Sequence, residues 1–189
     1  METLKQICTR NTVNGWPDKD TVHTYIDAYE VLLKPYREKA LNILEIGLFS
    51  GQSLRMWEQY FSGKSIGIDC SETPCGGLQD LRPMINEGTH NIIIMDGTSK
   101  VDIEKHFKGV KFDVIIDDGS HNLEHQLESY KHLKSHLAKG GIYIIEDIQD
   151  LDANKSVFLQ LDSKKNIEIL DRRAIKNRYD DVLIVITDK

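Results

Sequence analysis

Short runs of aliphatic and β-branched residues recur along the chain: 41–47 (LNILEIG), 65–70 (SIGIDC), 91–96 (NIIIMD), 112–118 (FDVIIDD), 141–148 (GIYIIEDI), 166–171 (NIEILD) and 181–187 (DVLIVIT). Apolar positions within them are nearly continuous rather than alternating, as strands buried on both faces require. Stretches of helical character separate most of these runs, the pattern of a mostly parallel sheet covered on both sides. The last two runs stand too close together for a helical crossover and are predicted to pair antiparallel at the sheet edge. The expected architecture is a single α/β domain with a doubly wound, Rossmann-like, seven-stranded sheet. The sheet should be mostly parallel with a C-terminal antiparallel strand.

The clearest helix spans 120–139, where Leu123, Leu127, Tyr130, Leu133 and Leu137 form one apolar stripe. Ser120 suits its N-cap, and Gly140-Gly141 supplies a stop signal. A second helix is expected over 21–38, with Tyr25, Ala28, Val31 and Leu32 facing inward. Residues 1–40 read as an N-terminal helical segment that could act as a lid.

Composition narrows the class of protein. The chain has 189 residues, enough for one core, and its net charge is −6 with no long basic run, which disfavours nucleic acid as a partner. No apolar run approaches a bilayer span and none resembles a signal peptide, so neither a membrane nor export is expected. Cys8, Cys70 and Cys75 follow no zinc-finger spacing, and an odd count argues against a disulfide framework. A reducing, cytoplasmic setting is the expectation.

The segment Glu45-Ile46-Gly47-Leu48-Phe49-Ser50-Gly51 falls where the first strand turns into a helix. Glycine there lets the backbone approach a ligand, and the helix start offers free N–H groups to an anion. The spacing is E-x-G-x-x-x-G, lacking one glycine of the dinucleotide fingerprint, which disfavours a nicotinamide cofactor. It suits the carboxylate of S-adenosylmethionine better than a pyrophosphate. Asp69 ends the second strand, where an acid commonly accepts hydrogen bonds from ribose hydroxyls. Asp96-Gly97 closes the third, on the expected adenine side. A tight turn in any α/β protein would explain the glycines alone, but not three successive strand ends with ligand-compatible chemistry.

The strongest signal is the pair IDDGSH (116–121) and IED (145–147). Both close apolar runs, at the edge where open α/β sheets bind ligands. Asp118, Glu146 and Asp147 would converge there, and three carboxylates need compensation, which a hard divalent cation such as Mg²⁺ would supply. Helix capping explains one or two of these acids and not all three. His121 sits three residues after Asp118 with an unperturbed pKa suited to a general base. His125, one turn on, could form a zinc pair with it. A solvated stripe with His132 and His136 is the simpler reading.

With these residues in hand, the sequence resembles the metal-dependent class I sugar O-methyltransferases of antibiotic biosynthesis, of the mycinamicin, tylosin and novobiocin type. Related to them are rhamnosyl O-methyltransferases and the cephalosporin hydroxylase family. The resemblance is carried by DKDTVHTYIDAYE, LEIGLFSGQSLRMWEQYF, GIDCSE, IIDDGSHNLEHQ and LKSHLAKGGIYIIEDI. It implies Asp118, Glu146 and Asp147 as metal ligands and His121 as base. Glu45, Gly47, Ser53 and Asp69 would line the S-adenosylmethionine pocket, Asp96, Gly97 and Thr98 would border adenine, and Asp117 would support the metal shell or the cofactor amine. The implied acceptor is a small-molecule or glycan sugar hydroxyl, with a homo-oligomer or a fused glycosyltransferase left open. A catechol acceptor and a non-catalytic S-adenosylmethionine-binding subunit are the rival readings. Two departures stand out: an additional N-terminal domain of some macrolide enzymes has no counterpart in these residues, and the third strand ends in MDGTS. The polar segment 172–181 (RRAIKNRYDD) reads as a solvated loop, or else as a lid over the acceptor.

Overall fold

The computed structural model describes residues 2–10, 17–74 and 80–189. Its strands are β1 (Asn42–Ile46), β2 (Lys64–Asp69), β3 (Ile92–Ile94), β4 (Phe112–Asp117), β5 (Leu137–Ile145), β6 (Lys165–Asp171) and β7 (Val182–Asp188). They form one sheet in the order β3-β2-β1-β4-β5-β7-β6. The first five run parallel, and β7 is antiparallel to both β5 and β6. The seven-stranded doubly wound sheet with an antiparallel C-terminal strand is the architecture read from the sequence.

The helices among the described residues are α1 (Leu4–Arg10), α2 (Asp18–Thr21), α3 (Tyr25–Leu33), α4 (Gln52–Tyr60), α5 (Arg82–Glu87), α6 (Lys100–Phe107), α7 (Leu123–Leu133), α8 (Leu151–Leu159) and α9 (Arg173–Lys176). None of them is long and apolar enough to cross a membrane.

Successive side chains on a strand point to opposite faces, and this parity sorts the core into two layers. Ile43, Val114, Ile116, Ile142, Ile144, Leu183 and Val185 pack with α1, α3 and α4 on one face. Leu44, Ile115, Tyr143, Ile145, Ile184 and Ile186 pack on the other, where Ile103 and Phe107 of α6, Tyr130 and Leu133 of α7 and Phe158 of α8 meet them. Continuing the same count one residue past the strands sends Asp118 and Glu146 toward the α3 face, with Glu45. Asp117 faces the opposite layer, beside Tyr143.

Several local expectations are corrected. The long helix begins at Leu123, because Asn122, not Ser120, accepts the Glu124 N–H as N-cap. It ends at Leu133 with a 3-10 turn over Lys134–His136, so Gly140-Gly141 is not its stop. Both glycines lie within β5, where the pairing with β4 shifts register between Phe112 and Val114. The predicted 21–38 helix is split into α2, α3 and a 3-10 turn, Lys34–Tyr36. Val31 is not on its inner face: it is 75% exposed, and Ile26, Tyr29 and Leu33 join Tyr25 and Ala28 inside. Segment 172–181 is no free loop, since it contains α9 and buries Asp180 and Asp181. Cys8 is buried against Met56 and Cys70 is exposed, both as free thiols, while Cys75 lies outside the described residues.

Candidate functional site

At the carboxyl ends of β1, β2 and β4 lies a cavity of about 710 Å³. Nine of the predicted residues line it: Gly47, Ser53, Asp69, Asp96, Gly97, Thr98, Asp117, Asp118 and His121. Glu45, Glu146 and Asp147 are buried behind or beside it.

The glycine loop is held by short-range geometry. Gly47 has φ +83°, and a Cβ added there would fall 2.0 Å from the main-chain oxygen of Asp118. Only glycine lets the β1 loop and the β4 end come this close. Asp69 fastens the loop from the next strand, accepting the Leu48 N–H at 2.9 Å through Oδ2 and the Ser71 N–H at 3.3 Å through Oδ1. Asp96 accepts from both the N–H and the hydroxyl of Thr98. This locks the turn after β3 as an Asx turn. Ser53 sits buried in the first turn of α4.

Glu45 is fully buried and accepts from the Trp57 indole at 2.9 Å. Burial pushes its pKa up to about 7, against the pull of Lys19 and Trp57. Asp117 is likewise raised to about 7 by burial, while accepting from Gly119 N–H and the Tyr143 hydroxyl.

The acid and histidine cluster is where β4 and β5 end. Strand pairing brings Asp117 opposite both Ile46 and Ile145. Two further backbone bonds, Asp118 N to Ile46 O and Glu146 N to Asp117 O, carry that alignment into the loops. His121 and Asp147 both adopt left-handed backbone, φ +58° and +56°. Asp and His tolerate this region better than bulky residues, and such strain clusters at functional sites. His121 Nε2 lies 3.2 Å from Asp118 Oδ1 and 3.7 Å from Asp147 Oδ2. Ligand atoms of Asp118, His121 and Asp147 all fall within 4.8 Å of one another. This donor set suits a divalent cation.

Glu146 is adjacent but engaged differently. Its Oε1 receives hydrogen bonds from Lys19 Nζ at 2.7 Å and the Tyr29 hydroxyl at 2.5 Å. Lys19 also donates to Asp118 Oδ2 at 2.5 Å and lies 3.7 Å from Glu45. Burial disfavours its charge, but Asp118, Glu146 and Glu45 outweigh this and hold its pKa well above the ordinary value. Burial likewise opposes ionisation of Asp118, and there Lys19 and His121 prevail and lower its pKa. Burial, with Asp118 alongside, instead raises Glu146 well above its usual range, and raises Asp147 to about 7. His121 climbs to about 8, because the bond to Asp118 and the nearby carboxylates exceed the effect of burial.

Asp147 accepts the Tyr25 hydroxyl at 2.7 Å, with His23 Nδ1 3.2 Å from the same oxygen. Burial, with Arg178 nearby, lowers the His23 pKa. Lys19, His23, Tyr25, Tyr29 and Gln126, whose amide donates to the Glu146 carbonyl, were not assigned to the site from the sequence. The strand parity that points Glu45, Asp118 and Glu146 toward α3, with Tyr25 and Tyr29 four apart on that helix, is the signal that marks the residues of the 19–29 segment; Gln126, on α7, has no such signal. His125 turns instead to Ser120 Oγ at 2.7 Å and does not join His121 in a metal pair. His132 pairs with Glu128 at the surface.

A family model described as a methyltransferase domain matches residues 44–148, more than half of the chain. The chain belongs to this methyltransferase family. Among curated relatives, the 8-demethyl-8-alpha-L-rhamnosyl tetracenomycin-C 2'-O-methyltransferase of Streptomyces olivaceus is 30% identical over 70% of this chain and 35% of its own. The L-olivosyl-oleandolide 3-O-methyltransferase of Streptomyces antibioticus is 33% identical over 67% of this chain and 33% of its own. The chain thus spans about a third of the length of the curated relatives it matches. Among solved structures, the methyltransferase MycE of the mycinamycin pathway, in complex with Mg and SAH, superposes with a TM-score of 0.72 at 21% identity. That match covers 99% of this chain and 55% of MycE.

Proposed function

We propose that this methyltransferase domain transfers the methyl group of S-adenosylmethionine to a sugar hydroxyl, with a divalent cation at the acid cluster. The observation that carries the reading is the convergence of Asp118, His121 and Asp147 at the cavity that Gly47, Asp69 and Asp96 line. The names of the relatives, acting on rhamnosyl and olivosyl groups, support a sugar acceptor. The cavity volume lies in the range of small-molecule and cofactor sites, and the carboxylates of Asp118 and Asp147 fit a hard cation, Mg²⁺ first, with the His121 imidazole beside them left for proton transfer.

In this reading Gly47 and Ser53 surround the methionine end with Glu45 buried behind them, Asp69 lies at the ribose, and Asp96 and Gly97 at the adenine. Asp117 orders the loop behind them. Asp118 and Asp147 would hold the cation, with Glu146 alongside as the third carboxylate. A cation held there would supply polarisation of the acceptor hydroxyls and would offset the negative charge that raises His121. His121, placed between Asp118 and Asp147, takes the hydroxyl proton as the acceptor oxygen bonds the methyl carbon and the sulfonium S–C bond breaks. The donor is already activated, so positioning of the acceptor contributes most of the rate.

The test is calorimetric titration with S-adenosylhomocysteine with and without Mg²⁺, followed by methyl transfer to a panel of rhamnosides and catechols. Binding with Mg²⁺-dependent transfer to the rhamnosides is expected. Transfer to catechols alone would move the acceptor to a vicinal aromatic diol, and failure to bind S-adenosylhomocysteine would end the methyltransferase reading.

A further inference from the structure

The polar side chains of residues 18–29 contact the three carboxylates in a consistent way. Lys19 reaches Asp118 only through Oδ2, and both Lys19 and Tyr29 reach Glu146 through Oε1. Tyr25 and His23 reach Asp147 through Oδ1. The opposite oxygens of Asp118 and Asp147, Oδ1 and Oδ2, are the ones facing His121. One oxygen of each acid is therefore tied to this N-terminal segment. On Asp118 and Asp147 the other is turned to the side where the catalytic base stands.

We infer that residues 18–29 form a positioning strap, in which Tyr25 and Tyr29 orient the carboxylates for the cation. This rests on the metal reading above. A carboxylate that must bind an ion at one oxygen is free to rotate unless its second oxygen is held, and hydrogen bonds behind metal ligands fix that orientation. The strap meets the requirement with rigid donors. Tyr25 and Tyr29 are fully buried and packed edge to face, and Tyr29 meets Trp57 edge-on as well. Their hydroxyls cannot swing away without breaking those ring contacts. The strap itself is fastened at its outer side. Lys176 donates to the carbonyls of Asp20, Thr21 and His23, and Arg172 to Thr24 and Asp27. Asp181 accepts from Thr24 twice. The polar 172–181 segment thus braces the strap.

The experiment compares Tyr25→Phe and Tyr29→Phe with the unaltered chain, which keeps each ring and removes one donor. Mn²⁺ binding is read by electron paramagnetic resonance, and S-adenosylhomocysteine binding by calorimetry on the same samples. Each variant should weaken Mn²⁺ binding about tenfold to a hundredfold while S-adenosylhomocysteine affinity stays within about threefold. Unchanged Mn²⁺ affinity in both variants would overturn the proposal. So would a parallel loss of both ligands, which is what a merely structural role produces. Failure of the unaltered chain to bind Mn²⁺ would remove the metal reading and the strap's role with it, before any variant is considered.

Discussion

Lys19 Nζ donates to Asp118 Oδ2 at 2.5 Å, joining residues 99 positions apart in a cluster where Lys19 is 1% exposed. A buried ammonium against Asp118, Glu146 and Glu45 is a fixed countercharge that lets an acid cluster persist inside the fold without an ion present. Removing one partner of such a group leaves uncompensated charge, which is strongly destabilising. Lys19→Met should therefore lower the unfolding free energy of the metal-free protein by about 3–5 kcal/mol, measured by urea denaturation. Adding Asp118→Asn to it should restore part of the loss, because Asp118 is the acid whose ionised form Lys19 favours. A loss under about 1 kcal/mol in the single variant would show that Lys19 behaves as an exposed ion pair does.

In the proposed mechanism His121 is the base, a role that rests on its position between Asp118 and Asp147 rather than on its residue type. Its backbone is left-handed, φ +58°, a conformation asparagine adopts readily. His121→Asn is thus a cleaner substitution than alanine, because it removes the imidazole without adding backbone strain. Turnover should fall roughly a hundredfold to ten-thousandfold, with S-adenosylhomocysteine affinity unchanged by calorimetry. Turnover close to that of the unaltered chain would take histidine out of the proton transfer.

The sheet was legible in the sequence because doubly buried strands leave continuous apolar runs, and all seven runs became strands in one sheet. The acids at the ends of β4 and β5 were legible for a related reason: Asp118 and Glu146 come within two residues of the last apolar residues, Ile116 and Ile145. The strap was not. Tyr25 has the spacing of a core residue, and nothing local distinguishes a tyrosine that packs from one whose hydroxyl reaches Asp147, 122 positions away. Lys19 reads as a solvated charge until the parity of three strands shows carboxylates facing the same layer. Helix ends were misplaced where competing caps exist. Ser120 and Asn122 are both good N-caps, and only the left-handed turn at His121 decides for Asn122.

Gly47 couples the loop after β1 to the acid cluster. Its φ of +83° disfavours any side chain, and an added Cβ would sit 2.0 Å from Asp118 O, a backbone atom that cannot rotate away. Gly47→Ala must push β1 and β4 apart at their carboxyl ends. A loss of about 2–4 kcal/mol in stability is expected from the combined strain and overpacking. S-adenosylhomocysteine affinity should fall in step, read by calorimetry at a temperature where the variant remains folded. Wild-type affinity in a destabilised Gly47→Ala would place the cofactor away from this loop.

The stability of the metal-free protein should decline as pH rises through neutrality, and Mg²⁺ should reverse that decline. Asp147 is raised to about 7 by burial and by Asp118, and Glu45 and Asp117 are raised to about 7 by burial. A carboxyl whose folded pKa exceeds its unfolded value holds its proton more tightly in the folded state. Stability is then lost as pH rises from the unfolded value towards the folded one. His121, raised to about 8, acts in the same direction: its contribution is complete below its ordinary value of 6.5 and lost as pH passes about 8. Asp118 has the opposite sign, since its pKa is lowered, but its contribution disappears only in acid below its ordinary 3.8. Cations bind the deprotonated ligands, so the stabilisation by Mg²⁺ must grow over the same window. Thermal unfolding at about pH 5.5 and about pH 8, with and without saturating Mg²⁺, reads this directly. The expected result is a midpoint shift by Mg²⁺ that is small at the lower pH and clearly larger at the higher. A shift equal at both would mean that the ion binds away from Asp147 and His121.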